Sequence, residues 1–151
     1  VYDEPDELKL RAIKDEFGIV TTHAGHQWLE YDLTDAFPRW LMANPHAQKS
    51  FARPNLFNSL LHTFKTHVVE DFTSFIEKHA PDTNHVVALA FIGSLFGYLK
   101  VKDLLDAIAP MVKGRLVVFF PGSYEHNNYR LLDAYDGWNY LAVPITADNK
   151  E

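Results

Sequence analysis

Val86-Val87-Ala88-Leu89-Ala90-Phe91-Ile92, followed by Gly93, is the stretch whose reading decides the fold. A strand with one face in water alternates apolar and polar residues. This run does not alternate, so it reads as a strand covered on both faces, the pattern of a parallel sheet. Leu116-Val117-Val118-Phe119-Phe120 repeats the pattern and is closed by Pro121-Gly122. Between the two runs Val101, Leu104, Leu105, Ile108 and Val112 recur at helical spacing, and Gly114 stops them. A strand, a helix and a second strand imply a right-handed crossover between parallel neighbours.

Working outward, the strongest helical signal lies upstream. Phe57, Leu61, Phe64, Val68, Phe72, Phe75 and Ile76 step by three or four, and Pro81-Asp82 breaks the series. Residues 45–54 read as an irregular connection. Before them, Thr34 or Asp35 caps a short helix carrying Phe37, Trp40 and Leu41, and residues 27–33 alternate as a strand. The chain opens with a helix start at Asp3-Glu4-Pro5-Asp6, where a capping Asp, early acids and an early proline agree; Gly18 is expected to end that helix. Downstream, residues 129–132 and 138–143 read as strands joined through Asp136-Gly137 as a hairpin. The expected fold is α/β, a mostly parallel central sheet flanked by helices on both faces, with a C-terminal antiparallel hairpin at its edge. Val1-Tyr2-Asp3 reads as the end of a further strand beside residues 86–92 or 116–120. An upstream N-terminal piece of this single domain, residues 1–151, is therefore expected to be missing.

Composition narrows the function. The chain has 151 residues, 47% of them hydrophobic, enough for one domain with a real core. It has no cysteine, which rules out thiol catalysis, iron–sulfur clusters and cysteine-bound zinc, and points to a reducing, cytoplasmic setting. Fourteen basic residues against 20 acidic give a net charge of −6. Lys and Arg are scattered rather than striped, so direct DNA binding by this domain is disfavoured. The uncharged run over residues 86–99 falls short of the ~20 residues a bilayer span needs, and no membrane association is expected.

In open α/β sheets ligands bind beyond the carboxyl ends of the strands. Asp3, Asp32, Gly93 and Ser94 fall at such ends, and Asp35 follows Asp32 by three residues. Three carboxylates on one rim suit a divalent metal or an acid–base pair; helix capping is the plainer account of Asp3 and Asp35. The stretch Gly93-Ser94-Leu95-Phe96-Gly97 lacks the lysine and spacing of a phosphate loop, and Ser94 is not in a nucleophile elbow. His62 and His67 are set roughly 140° apart by helical geometry, so they do not converge on a metal. No complete catalytic or nucleotide-hydrolysing site, no metal site and no cofactor is expected. The C-terminal third differs, concentrating Tyr124, Asn128, Tyr129, Arg130, Asp136, Trp138 and Asn139. Tyr, Trp and Arg dominate interface hot spots, and the plainer account is a hairpin locked by cross-strand aromatics and an Arg–Asp pair.

That segment carries a resemblance. Residues 116–122, then Asn128-Tyr129-Arg130-Leu131-Leu132-Asp133-Ala134, then Asp136-Gly137-Trp138-Asn139-Tyr140-Leu141-Ala142-Val143-Pro144-Ile145 resemble the C-terminal signature of the BrxB family of bacteriophage exclusion (BREX) systems. Val1-Tyr2-Asp3, residues 31–37 and residues 93–97 are similar too. The resemblance implies a bacterial cytoplasmic protein in antiviral defence. It also implies other BREX proteins as partners, namely an alkaline-phosphatase-like protein, a large ATPase and a methyltransferase. It supplies no catalytic residues. The resulting expectation is a non-enzymatic adaptor that binds other defence proteins. The alternatives are a small metal- or nucleotide-binding hydrolase using the rim carboxylates, and a weaker one of single-stranded nucleic-acid contact through the aromatics.

Overall fold

In the computed structural model the chain is described over residues 1–50, 52–126, 128–132 and 142–146. The apolar run forms the central strand of a three-stranded sheet. That sheet consists of β1 (Gln27–Asp32), β2 (His85–Ala90) and β3 (Arg115–Val118), side by side in that order and all parallel. Five helices are described: α1 (Glu7–His23), α2 (Ala36–Ala43), α3 (Pro45–Ser50), α4 (Pro54–His79) and α5 (Val101–Ile108). A second, separate sheet is an antiparallel hairpin of β4 (Gly122–Glu125) and β5 (Asn128–Leu131).

The alternation of β2 distributes its side chains between two layers. Val87 and Leu89 join Phe64, Val68 and Phe72 of α4, Leu104 and Ile108 of α5, Trp40 of α2 and Ala47 of α3 in the larger core. Ala88 and Ala90 face the other way, against Leu10 of α1 and Phe119, with Trp28 and Val117 packed beside them. Two alanines on that face let α1 approach the sheet closely. Helices thus cover both faces, as the unbroken apolar pattern requires.

Several elements depart from the sequence expectations, each for a local reason. β2 ends at Ala90, because Phe91 adopts the left-handed region at φ 60°. Strand alternation would aim Phe91 toward Val87 and Leu89; instead its ring lies with Ala88 and Ala90 beneath the Arg11 guanidinium, 3.8 Å from the ring centre. The connection after α2 is not irregular. Asn44 Oδ1 accepts from the Ala47 N–H at 3.1 Å, and Pro45 occupies the first helical position, so α3 has both a cap and a preset φ. Gly18 does not stop α1. The helix runs on to His23, and the missing side chain lets the Trp28 ring sit where a Cβ would be 3.0 Å from it. β3 is half-buried rather than fully covered, because it lies at the side of the sheet.

Tyr2 meets the far end of β3 as a parallel bridge to Pro121. Its N–H donates to the Phe120 carbonyl at 2.9 Å, and its carbonyl accepts from Gly122 N–H at 2.8 Å. Val1-Tyr2-Asp3 therefore meets the expected run 116–120 only at its last residue, Phe120, and pairs through Tyr2 with Pro121 just beyond it. The described antiparallel hairpin contains the expected strand over residues 129–132 as β5, paired with β4. It turns at His126, whose φ is 51°. Residues 133–141, which contain the Asp136-Gly137 pair and residues 138–141 of the expected strand over 138–143, lie outside the described residues.

Candidate functional site

All parallel strands end on one rim, so the rim is where chemistry was expected. Asp32 closes β1, and Asp3 follows Tyr2 beyond the opposite side of β3. The lateral order β1, β2, β3, Tyr2 puts three inter-strand gaps between them, about 14 Å at the usual spacing of ~4.8 Å. One ion cannot be ligated by both. Among the described residues no group of three or more His, Asp or Glu side chains is placed to hold a metal. Asp3, Asp32 and Asp35 are thus not brought together as a set of metal ligands.

Asp32 and Ser94 have local partners, whereas the Asp3 and Asp35 side chains make no cap. Asp32 Oδ1 accepts from the Thr34 N–H at 2.7 Å, tightening the turn out of β1. Asp35 and Asp3 stand at the caps of α2 and of the short turn before α1, yet neither side chain makes a capping hydrogen bond. The Asp3 backbone carbonyl accepts from Asp6 N–H instead. Ser94 Oγ donates to the Leu33 carbonyl at 2.7 Å and ties the β2 exit to the β1 exit. Gly93 faces the Pro121 ring, which would be 3.2 Å from a Cβ there. Ser94 and Gly93 therefore bind the rim together. One polar atom stands out: the Thr34 hydroxyl is buried without a hydrogen-bond partner among the described residues. Sequence reasoning treated Thr34 only as a cap and gave no sign of this.

The hairpin sits beside that rim, held through Pro121. Its inner face is aromatic. Tyr129 is buried, with its ring 5.5 Å from Phe120 and 4.7 Å from its cross-strand partner Tyr124. Its hydroxyl donates to the Ala142 carbonyl at 3.1 Å. Burial, then the proximity of Tyr124, raises its pKa. Tyr129, grouped by composition with the surface candidates, thus packs inward. Leu131 is buried beside it, while Arg130 alternates to the exposed face. Tyr124 and Asn128 are half-buried, and Asn128 Nδ2 donates to the His126 carbonyl. The structure brings Tyr124, Asn128 and Arg130 onto one small hairpin; Asp136, Trp138 and Asn139 lie outside the described residues.

Two grooves lie on the described surface. One of about 400 Å3 lies between α4 and the junction of α2 with α3, bordered by Asn44, Pro45, His62, Thr66, His67 and Glu70. Both histidines border it despite their helical separation. The other, about 450 Å3, lies between α1 and β1. No described helix is long and apolar enough to cross a membrane.

A family model described as BREX protein BrxB matches residues 36–145, well over half of the chain and the whole of the hairpin. Residues 1–35, including Asp3 and Asp32, fall outside that match. No curated protein and no solved structure matches the chain.

Proposed function

Because the chain belongs to the BrxB family, and so is a component of a BREX anti-phage system, we propose that it works there as a non-enzymatic adaptor whose C-terminal hairpin binds another BREX protein. The observation that carries the reading is the two-sidedness of the hairpin. Tyr129 and Leu131, with Tyr124 packed on Tyr129, fasten it to the core, and Arg130 faces outward on the same side as Asn128, opposite Ser123. A side chain mounted on an anchored strand loses little freedom on binding, and tyrosine and arginine bury much area per residue. The net charge of −6 favours a protein partner over nucleic acid. The test is Arg130→Glu. The variant should lose co-purification with its co-expressed BREX partners, and its melting is measured beside that of the parent so that loss of binding is read on a folded chain. A variant that melts normally and co-purifies undiminished removes Arg130 from the interface.

A further inference from the structure

β1 is an edge strand, with β2 on one side and, among the described residues, no strand on the other. Its backbone has a readable direction. Gln27 N–H donates to the Asn84 carbonyl and Leu33 N–H to the Ala90 carbonyl, both toward β2. Backbone groups reverse direction with each residue along a parallel strand. The N–H and C=O groups of Trp28 and Glu30 therefore point outward, and no backbone–backbone bond among the described residues reaches them. The strand Gln27-Trp28-Leu29-Glu30-Tyr31-Asp32 contains no proline and no lysine, which commonly blunt such an edge.

Beside this edge runs the groove between α1 and β1, bordered by Asp15, Gly18, Ile19, Trp28 and Glu30. Ile19 is 55% exposed at its wall, and Glu30 is engaged by Lys14 of α1. Asp15 at the groove and exposed Asp32 at the strand end leave the rim acidic. We propose that β1 accepts a strand from a partner protein. The added segment is extended, with an apolar side chain over Ile19 and Trp28 and basic residues toward Asp15 and Asp32. Main-chain bonds to Trp28 and Glu30 supply the pairing, and the groove supplies selectivity. β1 and the hairpin lie toward opposite sides of the sheet, since β3, Tyr2 and Pro121 are on the far side. The chain thereby presents two separate attachment surfaces, and this one does not depend on the reading of the hairpin.

The test compares Glu30→Ala with Glu30→Pro by hydrogen exchange, on the whole chain alone and co-purified with the proteins of its BREX system. Both variants remove the Lys14 partner; only proline removes the outward N–H, and it leaves the bonds to β2 intact. In the parent and in Glu30→Ala, the Trp28 amide should exchange freely in the isolated chain and become protected in the complex. In Glu30→Pro that protection should be lost. Should Glu30→Pro fail to fold, Ile19→Lys on the exposed side of α1 should likewise lose it. Three results overturn the proposal: a Trp28 amide that stays open in the parent complex, protection that persists in folded Glu30→Pro, or protection in the chain alone that grows with concentration, which would mean pairing with a second copy. Arg130→Glu keeps the two readings apart, because loss of the hairpin contact and exposure of the β1 edge are read at different residues.

Discussion

Gly122→Ala should cripple the hairpin's attachment to the rest of the fold. Gly122 has φ 145°, and a Cβ placed there would lie 1.9 Å from the Arg130 carbonyl oxygen. A carbon–oxygen contact relaxes only at about 3.3 Å, so the strands must part by more than an ångström. Opening the pair strains the bond from Gly122 N–H to the Tyr2 carbonyl and the one from Leu132 N–H to the Pro121 carbonyl. Two hydrogen bonds at about 1 kcal/mol each, plus about 1–3 kcal/mol for a side chain at that backbone conformation, give roughly 3–5 kcal/mol. For a chain of this size that corresponds to a fall in Tm of about 6–20 °C. Gly93→Ala is the control, because its Cβ meets only the edge of the Pro121 ring at 3.2 Å; it should cost less than about 1 kcal/mol. Calorimetry on both variants decides the matter. Equal melting temperatures for Gly122→Ala and the parent would refute the reasoning.

Phe64 is fully buried amid the rings of Phe37, Trp40 and Tyr98, so Phe64→Ala should cost about 3–5 kcal/mol by denaturant titration. Ala80 ends α4 at φ 44° with its N–H on the Ile76 carbonyl, and Ala80→Gly should gain about 1 kcal/mol by relieving a left-handed alanine; a loss would contradict that. Tyr2 and Tyr31 are held protonated, chiefly by burial and then by hydrogen bonds to Glu7 and Asp71, so their folded pKa values lie well above the ordinary tyrosine value of about 10. Above pH 10 the unfolded chain sheds those protons more readily than the folded one. Their stabilisation is therefore complete below pH 10 and declines as pH rises beyond it, and Tyr31→Phe should flatten the decline seen in alkaline melts.

How much of this was legible in the sequence depended on whether the signal was local. The unbroken apolar run of β2, the three-and-four stepping of α4 and the glycine-bounded α5 each fixed an element, because one face pattern admits one periodicity. Asn44-Pro45 was also a local signal, a cap followed by a proline, and announced α3 to any reading that looked for it. Phe91 was not legible. Its left-handed backbone serves packing against Arg11 and Leu10, residues far away in sequence. The pairing of β4 with β5 was not legible, because a turn at His126 carries no strong sequence signal and is favoured by the tertiary contact of Tyr129 with Phe120. The rim carboxylates illustrate the remaining gap. Sequence placed Asp3 and Asp32 at strand ends correctly, but lateral strand order is a long-range property, and it puts them on opposite sides of the sheet.

The adaptor reading rests on an exposed Arg130 over an anchored hairpin, and one binding measurement addresses it directly. Purified parent and Arg130→Glu chains, matched in melting temperature, would be titrated against the separately purified proteins of the same BREX system, with phage exclusion scored in parallel. The account predicts saturable binding by the parent to at least one of them, a loss of that binding in Arg130→Glu of about tenfold or more, as for an interface residue worth at least ~1.4 kcal/mol, and a matching loss of exclusion. Equal affinity and equal exclusion by a folded Arg130→Glu chain would contradict it.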